Sequence, residues 1–195
     1  FNTPIALARR PPDDPRSQTP YVEFDMTTTA AGTNARRGAG VIVHGSGIDE
    51  AVDLTGYVVW AYFDTPTNDW NIQVLRYVNG NGVLIAEGSG TLAGLSAIQQ
   101  ISLEVEAGPL PGQPTLDGPV RLQVRAGTGG GGGGGAAQTL ALQAVPGIVA
   151  DGTYIVDTSS DRVTQGGEGF VGIAWDVATN IRVWEYGQNA LLDPG

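Results

Sequence analysis

Residues Thr55–Gly90 have the sequence TGYVVWAYFDTPTNDWNIQVLRYVNGNGVLIAEGSG, which predicts three antiparallel strands in a meander. Apolar and aromatic residues alternate with a period of two over Tyr57–Asp64, which is typical of a strand with one buried face. A second strand is predicted at Asn71–Val78 and a third at Val83–Glu87. The sequence NGNG at 79–82 predicts the hairpin turn between these two strands, because Asn and Gly tolerate the positive φ of a tight turn.

The alternation also divides the side chains of the first strand between the two faces of a sheet. The face expected to point into the core consists of Tyr57, Val59, Ala61 and Phe63. The opposite face carries Val58, Trp60, Tyr62 and Asp64.

The rest of the chain continues this pattern. We count about eleven short strands at regular spacing and no convincing helix, which predicts two stacked antiparallel sheets. A short helical turn is considered only at Ile5–Arg10, and a short turn at Ala178-Thr179 is expected to join the last two strands. Beyond the meander, strands are predicted at Tyr21–Thr27, Ala39–His44, Gln99–Glu106, Val120–Ala126, Thr139–Val145, Thr153–Thr158, Phe170–Val177 and Asn180–Tyr186.

The proline content separates an N-terminal segment from the β domain. Residues 1–20 contain five prolines and little periodicity, which predicts an extended arm. This arm is expected either to pack against a neighbouring subunit or to lie along its own domain. Residues 21–187 form the predicted β domain, and residues 188–195 form a C-terminal tail.

The composition excludes several classes of function. The formal net charge is −10, all ten cationic residues are Arg, and a phosphate backbone is therefore not an expected partner. No apolar run is long enough to span a membrane. Cysteine is absent, so the chain has neither a disulfide nor a thiolate nucleophile.

Three segments share a characteristic pattern of strands and turns, namely NIQVLRYVNGNGVLIAEG at 71–88, PVRLQVRAG at 119–127 and TYIVDTSSDRVTQGGEGFVGIAW at 153–175. In this pattern they resemble the concanavalin A-like lectin/glucanase (LamG-like) jelly roll. The resemblance covers roughly Tyr21–Tyr186 and implies an all-β, two-sheet antiparallel jelly-roll sandwich with an extended N-terminal arm. Domains that look like this one occur in tail and head proteins of bacteriophages, but a fold by itself does not name a ligand.

The acidic residues are weak candidates for catalysis. Glycosidases of this fold carry a Glu-x-Asp-x-x-Glu pattern, and retaining hydrolysis needs two carboxyl groups about 5–5.5 Å apart. Glu104 and Glu106 share one strand face but lack the third acid, so a solvated strand face is favoured. The single histidine, His44, forms no triad and is expected at an edge or on the surface. No catalytic residue is predicted.

Two aspartates, one at the end of the predicted strand Thr153–Thr158 and one in the loop after it, are candidates for a calcium site. Asp157 and Asp161 supply the oxygen ligands that Ca²⁺ prefers. The favoured alternative is that these residues stabilise turns, as Asp side chains commonly do. No metal site and no cofactor is therefore predicted.

The aromatic residues give the best lead to a binding surface. If the final strand alternates strictly, its outer face carries Arg182, Trp184 and Tyr186. The aromatic pair Trp184 and Tyr186 is then expected on the same sheet surface as the pair Trp60 and Tyr62. Such a surface can stack against and hydrogen-bond a sugar, or it can pack under loops or a neighbouring subunit, which is favoured. The candidate glycan-binding residues are Trp60, Tyr62, Gln73, Arg182, Trp184 and Tyr186.

These observations lead to two expected functions. The first is a non-enzymatic structural component of a bacteriophage virion, either a tail or a capsid-decorating protein, at the particle surface. Its partners would be other virion proteins or copies of itself, with no nucleic acid and no membrane. The alternative is a glycan-binding module for host attachment or adhesion, with a cell-surface glycan as partner. A glycoside hydrolase is a distant third.

Overall fold

The structure is a computed structural model, and it describes residues 5–6, 18–26, 36–46, 53–64, 69–88, 101–110, 118–128, 138–163, 170–175 and 181–188. Side chains are described within these ranges except at 5–6, 26, 36–37, 64, 69, 128, 138, 170–175 and 181–188. The described residues form fourteen strands and no helix. The predicted all-β fold is confirmed.

The strands pair into two antiparallel sheets that pack face to face around one core. Sheet I contains, in spatial order, β1 (Ile5–Ala6), β13 (Phe170–Trp175), β3 (Arg36–Ser46), β4 (Thr55–Asp64), β5 (Asp69–Val78), β6 (Asn81–Gly88) and β10 (Leu142–Ala144). Sheet II contains, in spatial order, β11 (Val149–Asp151), β12 (Tyr154–Val156), β8 (Val120–Thr128), β7 (Ile101–Pro109), β2 (Pro20–Met26) and β14 (Ile181–Gln188), with β9 (Gln138–Thr139) beside β8.

The predicted meander forms the middle of sheet I. β4 is central, because Trp60 pairs with Gly40 on β3 and with Gln73 on β5. The turn between β5 and β6 has positive φ at both central residues, 48° at Asn79 and 76° at Gly80. This geometry is the one expected from an Asn-Gly hairpin, so the turn is confirmed.

The last two strands in chain order, β13 and β14, lie in different sheets. β13 pairs with β3 in sheet I, and β14 pairs with β2 in sheet II. The last two strands thereby lie beside the third and second strands, one in each sheet of the sandwich. The predicted turn at Ala178-Thr179 lies outside the described residues, but the strands on either side of it belong to different sheets and are not a paired hairpin.

Aromatic packing across the sandwich is centred on Trp70. Its ring meets Phe24 of sheet II at a centroid distance of 5.6 Å and Phe63 of sheet I at 5.5 Å, both edge to face. Such contacts add to the free energy gained by burying the rings. The core also contains the predicted inner face of β4, which is fully or almost fully buried at Tyr57, Val59, Ala61 and Phe63.

The described parts of the N-terminal segment lie on the chain's own sheets. The dipeptide Ile5–Ala6 pairs with β13 as an edge strand, and not as the helical turn considered for Ile5–Arg10. Gln18 exchanges two backbone hydrogen bonds with Ala107, each of 2.8 Å, and its side chain is fully buried. The chain is therefore joined to sheet II two residues before the predicted arm ends at residue 20.

His44 is buried, contrary to the expected edge or surface position. It lies where the pairing of β3 with β4 shifts register, and its φ of 51° is unusual for a residue with a side chain. Its backbone N–H donates to Gln18 Oε1 at 2.7 Å, which ties β3 to the segment before β2. Neither ring nitrogen has a hydrogen-bond partner among the described residues, and burial lowers the pKa of His44 to about 4.

Acid should destabilise the fold through His44. Because its pKa falls from 6.5 to about 4 on folding, the unfolded chain binds a proton in this range that the folded chain does not. The stability that neutral His44 contributes is complete above pH 6.5 and is lost as the pH falls toward 4. At 1.36 kcal/mol per pKa unit the loss is about 3 kcal/mol, and urea unfolding along a pH series measures it.

The matched variant is His44→Asn, because Asn tolerates positive φ and does not titrate in this range. The variant should lose less unfolding free energy than the unaltered chain between neutral pH and pH 4, by the amount assigned to His44. Equal acid sensitivity in the two proteins would contradict the buried, neutral state of this ring.

Candidate functional site

The outer face of sheet I carries a second apolar cluster, separate from the core. Ile42, Leu54 and Val58 are buried there, at 0%, 2% and 4% exposure. Three larger side chains pack around them and are half-buried, namely Trp60, Leu75 and Tyr77. We call these six residues the outer cluster. A surface that joins buried and half-buried apolar groups is suited to contact with another molecule.

Two glycines make room for the aromatic rings of the outer cluster. A Cβ added at Gly40 would lie 3.1 Å from Cε3 of Trp60, and one added at Gly82 would lie 2.8 Å from Cζ of Tyr77. Each ring therefore covers a glycine on the neighbouring strand. The sequence shows these glycines only as members of strands, and their pairing with the rings becomes visible in the register.

Three of the predicted glycan-binding residues share this face. Trp60 and Gln73 are direct neighbours in the register, and Tyr62 lies two residues farther along β4. Tyr62 and Gln73 are buried, with 6% and 7% exposure, and Gln73 Nε2 donates to Glu87 Oε1 at 3.1 Å. Trp60 is thus the most accessible of the three.

The other three predicted residues belong to sheet II. Arg182, Trp184 and Tyr186 lie on β14, so the expectation that both aromatic pairs occupy one sheet surface is wrong. The strict alternation assumed for β14 is also wrong, because a β-bulge between Val183 and Glu185 skips Trp184 in the pairing with β2. The side chains of all three residues lie outside the described part of the structure.

The outer face of sheet II is charged and carries the two acids considered for catalysis. Arg125 Nη1 lies 3.1 Å from Glu104 Oε1, and Arg121 Nη2 lies 3.1 Å from Glu106 Oε1. The Arg121 guanidinium also lies 4.0 Å from the centre of the Tyr154 ring. The two glutamates therefore form cross-strand ion pairs with β8, which accounts for them without a catalytic role.

Polar groups are buried at the other end of this face. Glu23 and Asp25 are only 2% and 5% exposed, and each interacts with other residues. Ser102 pairs in register with Glu23 and is fully buried, and its Oγ forms no hydrogen bond among the described residues. The burial of Glu23 and Asp25 could not be predicted from the sequence. Their alternation with Val22 and Phe24 shows which face of the strand they occupy, but it does not show what covers that face.

A buried ion pair joins the two sheets. Arg76 lies on β5, and its Nη1 is 3.1 and 2.9 Å from the two carboxylate oxygens of Asp157, directly after β12. Tyr57 lies beside Arg76 in the register, and its hydroxyl donates to Asp157 Oδ2 at 3.0 Å. Asp157 is fully buried and Arg76 is 8% exposed. Burial, and then the charge of Asp157, raise the pKa of Tyr57 far above 10, so the phenol remains a donor.

The loop after β12 folds around the same carboxylate. The backbone N–H and the hydroxyl of Ser159 both donate to Asp157 Oδ1, at 3.1 and 2.7 Å, and Arg76 also contacts Ser159 Oγ. Val163 N–H donates to the Tyr57 hydroxyl at 3.2 Å. Asp157 thus stabilises its turn, the alternative favoured from the sequence, with an Arg guanidinium as its counter-charge.

The calcium interpretation gains no support from these contacts. Asp161 is exposed and accepts a hydrogen bond from Ser160 Oγ at 3.1 Å. Among the described residues, no group of three or more His, Cys, Asp or Glu side chains is placed to hold a metal ion.

Comparisons with known proteins do not add a family to this geometry. No protein-family model, curated protein or solved structure matches the chain. In the described part of the chain there is no helix with the length and hydropathy needed to cross a membrane.

Removing the Asp157 carboxylate should destabilise the fold strongly. Asp157→Ala leaves the buried Arg76 without its counter-charge and Tyr57 without its acceptor, and breaking such a pair from one side costs about 3–5 kcal/mol. Asp161→Ala in the same loop is the control, since its exposed side chain should change stability by less than about 0.5 kcal/mol. Urea unfolding of both variants measures the difference, and equal stabilities would show that the ion pair does not hold the sheets together.

Proposed function

We propose that this chain is a non-enzymatic structural component of a bacteriophage virion, a tail or capsid-decorating protein that assembles through the outer face of sheet I. Its partners are copies of itself or other virion proteins, and its place is the particle surface. The observation that carries the proposal is the outer cluster, an apolar surface outside the core with three large side chains left half-buried.

The chemistry of the outer cluster supports contact with protein. Trp60 and Tyr77 are large amphipathic rings, a residue type enriched where protein surfaces meet. Each ring packs over a glycine of the next strand, and this contact limits the conformational entropy that the side chain would lose on binding. Buried neighbours such as Val58 give the rings a fixed apolar base. These properties favour a preformed interface over a solvated sheet face.

The charge of the chain supports a position on the outside of a particle. A net charge of −10 opposes contact with packaged nucleic acid, whose phosphates attract basic surfaces. On the outer face of sheet II, two glutamates are neutralised by arginines of β8. The apolar face of sheet I is therefore the better candidate for the contact with a neighbour. The resemblance of the strand and turn pattern to phage jelly-roll domains favours the same assignment.

The second candidate is a glycan-binding module, favoured by one local arrangement. Gln73 and Glu87 form a hydrogen-bonded pair directly beside Trp60 in the register. An aromatic ring next to planar polar groups can stack on a sugar and bind its hydroxyls. The depth at which Gln73 is buried, with 7% exposure, limits this site to a ligand that reaches the sheet surface.

Trp60→Ala separates the two functions. Because the ring is half-buried, its loss should lower the unfolding free energy by about 1–3 kcal/mol and leave the chain folded. If the outer cluster is an assembly surface, self-association measured by sedimentation velocity should be lost with it. Val83→Ser is the control, since Val83 is 51% exposed in the same sheet and lies outside the outer cluster.

A glycan array on the same two variants tests the alternative. Binding that is present in the unaltered chain and in Val83→Ser but absent in Trp60→Ala would favour the glycan module. A Trp60→Ala protein that keeps both self-association and glycan binding would contradict both functions for this face.

A further inference from the structure

The tip of the β5–β6 hairpin contains two Asn-Gly dipeptides in different backbone settings. They are Asn79-Gly80 in the turn and Asn81-Gly82 at the start of β6. Both asparagines are exposed. Asn-Gly is the dipeptide most open to deamidation, because glycine has no side chain to hinder the backbone nitrogen that attacks the carboxamide.

The first dipeptide is held by hydrogen bonds to Leu54 and Thr55, at the start of β4. The nitrogen that would attack the carboxamide of Asn79 is that of Gly80, and its N–H donates to the Leu54 carbonyl at 2.9 Å. The backbone N–H of Asn79 donates to Thr55 Oγ1 at 3.0 Å. The reacting nitrogen is therefore occupied, and the backbone around it must open locally before it can rotate toward the side chain.

The second dipeptide lacks these restraints. Val78 and Asn81 form the closing pair of the hairpin, so the next pair, Tyr77 and Gly82, is one whose N–H groups point away from each other. The Gly82 N–H is thus directed to the edge of the sheet, where β10 pairs with β6 only from Ala86 onward. The register therefore places this N–H outside the hydrogen bonds that join β5 to β6.

The side chain of Asn81 is also weakly held. Its Nδ2 lies 3.4 Å from the Asn79 carbonyl, which is a long hydrogen bond at an exposed position. Gly82 is exposed as well. Carboxamide and nucleophile are therefore both accessible at the second dipeptide, whereas the nucleophile is engaged at the first.

We propose that Asn81 is a site of spontaneous deamidation and that the Leu54 and Thr55 contacts protect Asn79. The Gly82 nitrogen attacks Cγ of Asn81, a new C–N bond forms, the Cγ–Nδ2 bond breaks, and ammonia leaves with the proton of the Gly82 N–H. Water then opens the resulting succinimide. Cleavage of the new C–N bond gives aspartate at position 81, and cleavage of the original peptide C–N bond gives isoaspartate.

The modification alters the rim of the outer cluster. Either product adds a carboxylate to a chain whose net charge is already −10. Isoaspartate also lengthens the backbone by one methylene group, directly before the glycine on which the Tyr77 ring lies. The unmodified and modified chains therefore present different edges of sheet I to a neighbour.

The test follows both sites in the folded chain at mildly alkaline pH. Peptide mapping by mass spectrometry with electron-transfer fragmentation, together with isoaspartyl methyltransferase labelling, identifies the products at each asparagine. We expect conversion at Asn81 to be about tenfold faster than at Asn79, which corresponds to about 1.4 kcal/mol. In urea-unfolded chain, where the hydrogen bonds are absent, the two rates should become similar.

Two variants make the result specific. Thr55→Ala removes one restraint on Asn79 and should raise the rate at Asn79 without changing that at Asn81, while Asn81→Gln should remove the faster signal. Equal rates in the folded chain, faster conversion of Asn79, or an unreactive Asn81 under conditions in which the unfolded chain reacts would each overturn the proposal.

Discussion

The ion pair between Arg76 and Asp157 is the interaction on which the closure of the sandwich depends. It joins the middle of sheet I to the loop that follows a short strand of sheet II, and both partners are buried. Removing two charges from water costs several kcal/mol per ion, so such a pair is tolerable only when its remaining hydrogen-bonding capacity is used. Tyr57 and Ser159 supply the additional donors, and Val163 is held in the core by its bond to the Tyr57 hydroxyl.

The two outer faces of the sandwich differ in chemistry although they belong to one small domain. Sheet I presents apolar rings over glycines, and sheet II presents cross-strand pairs of Arg and Glu. A strand face that is neutralised by its own ion pairs has little to gain from a partner, since those groups are already satisfied in water. An apolar face gains free energy from each Å² removed from water. If the chain assembles as proposed, this asymmetry makes sheet I the side that faces the neighbour.

Local sequence was sufficient to predict the meander and the inner face of β4. Strands from Thr55 to Gly88 follow one another through short connections, and the alternation of Tyr57, Val59 and Ala61 depends only on the pleat of one strand. Features that depend on distant segments were not predictable. The position of His44 depends on a register shift, the partner of Asp157 lies 81 residues away, and the sheet to which Trp184 belongs is decided by pairing with β2.

The same difference between local and distant contacts decides which candidate site residues could be predicted. Trp60 and Gln73 were placed together correctly because they lie on β4 and β5, two consecutive strands of the meander that pair with each other. Arg182 was placed beside them incorrectly, because period-two alternation gives the face of a strand but neither its sheet nor a bulge within it. The depth of burial of Tyr62 and Gln73 depends on what lies over the face, and no pattern within one strand contains that information.

The wrapped pairing of the chain ends has a consequence for how the protein is made. β2 pairs with β14 and β3 pairs with β13, and each partner lies more than 120 residues farther along the chain. Neither sheet is complete until these distant strands have paired. Folding of all-β chains is slow because the entropy of closing long loops is lost before the distant contacts can form. During synthesis, the β3–β6 meander can pair locally while its edge at β3 and its inner face lack their partners. Until these partners are in place, strand edges are open to pairing with other chains, which is a known route to aggregation.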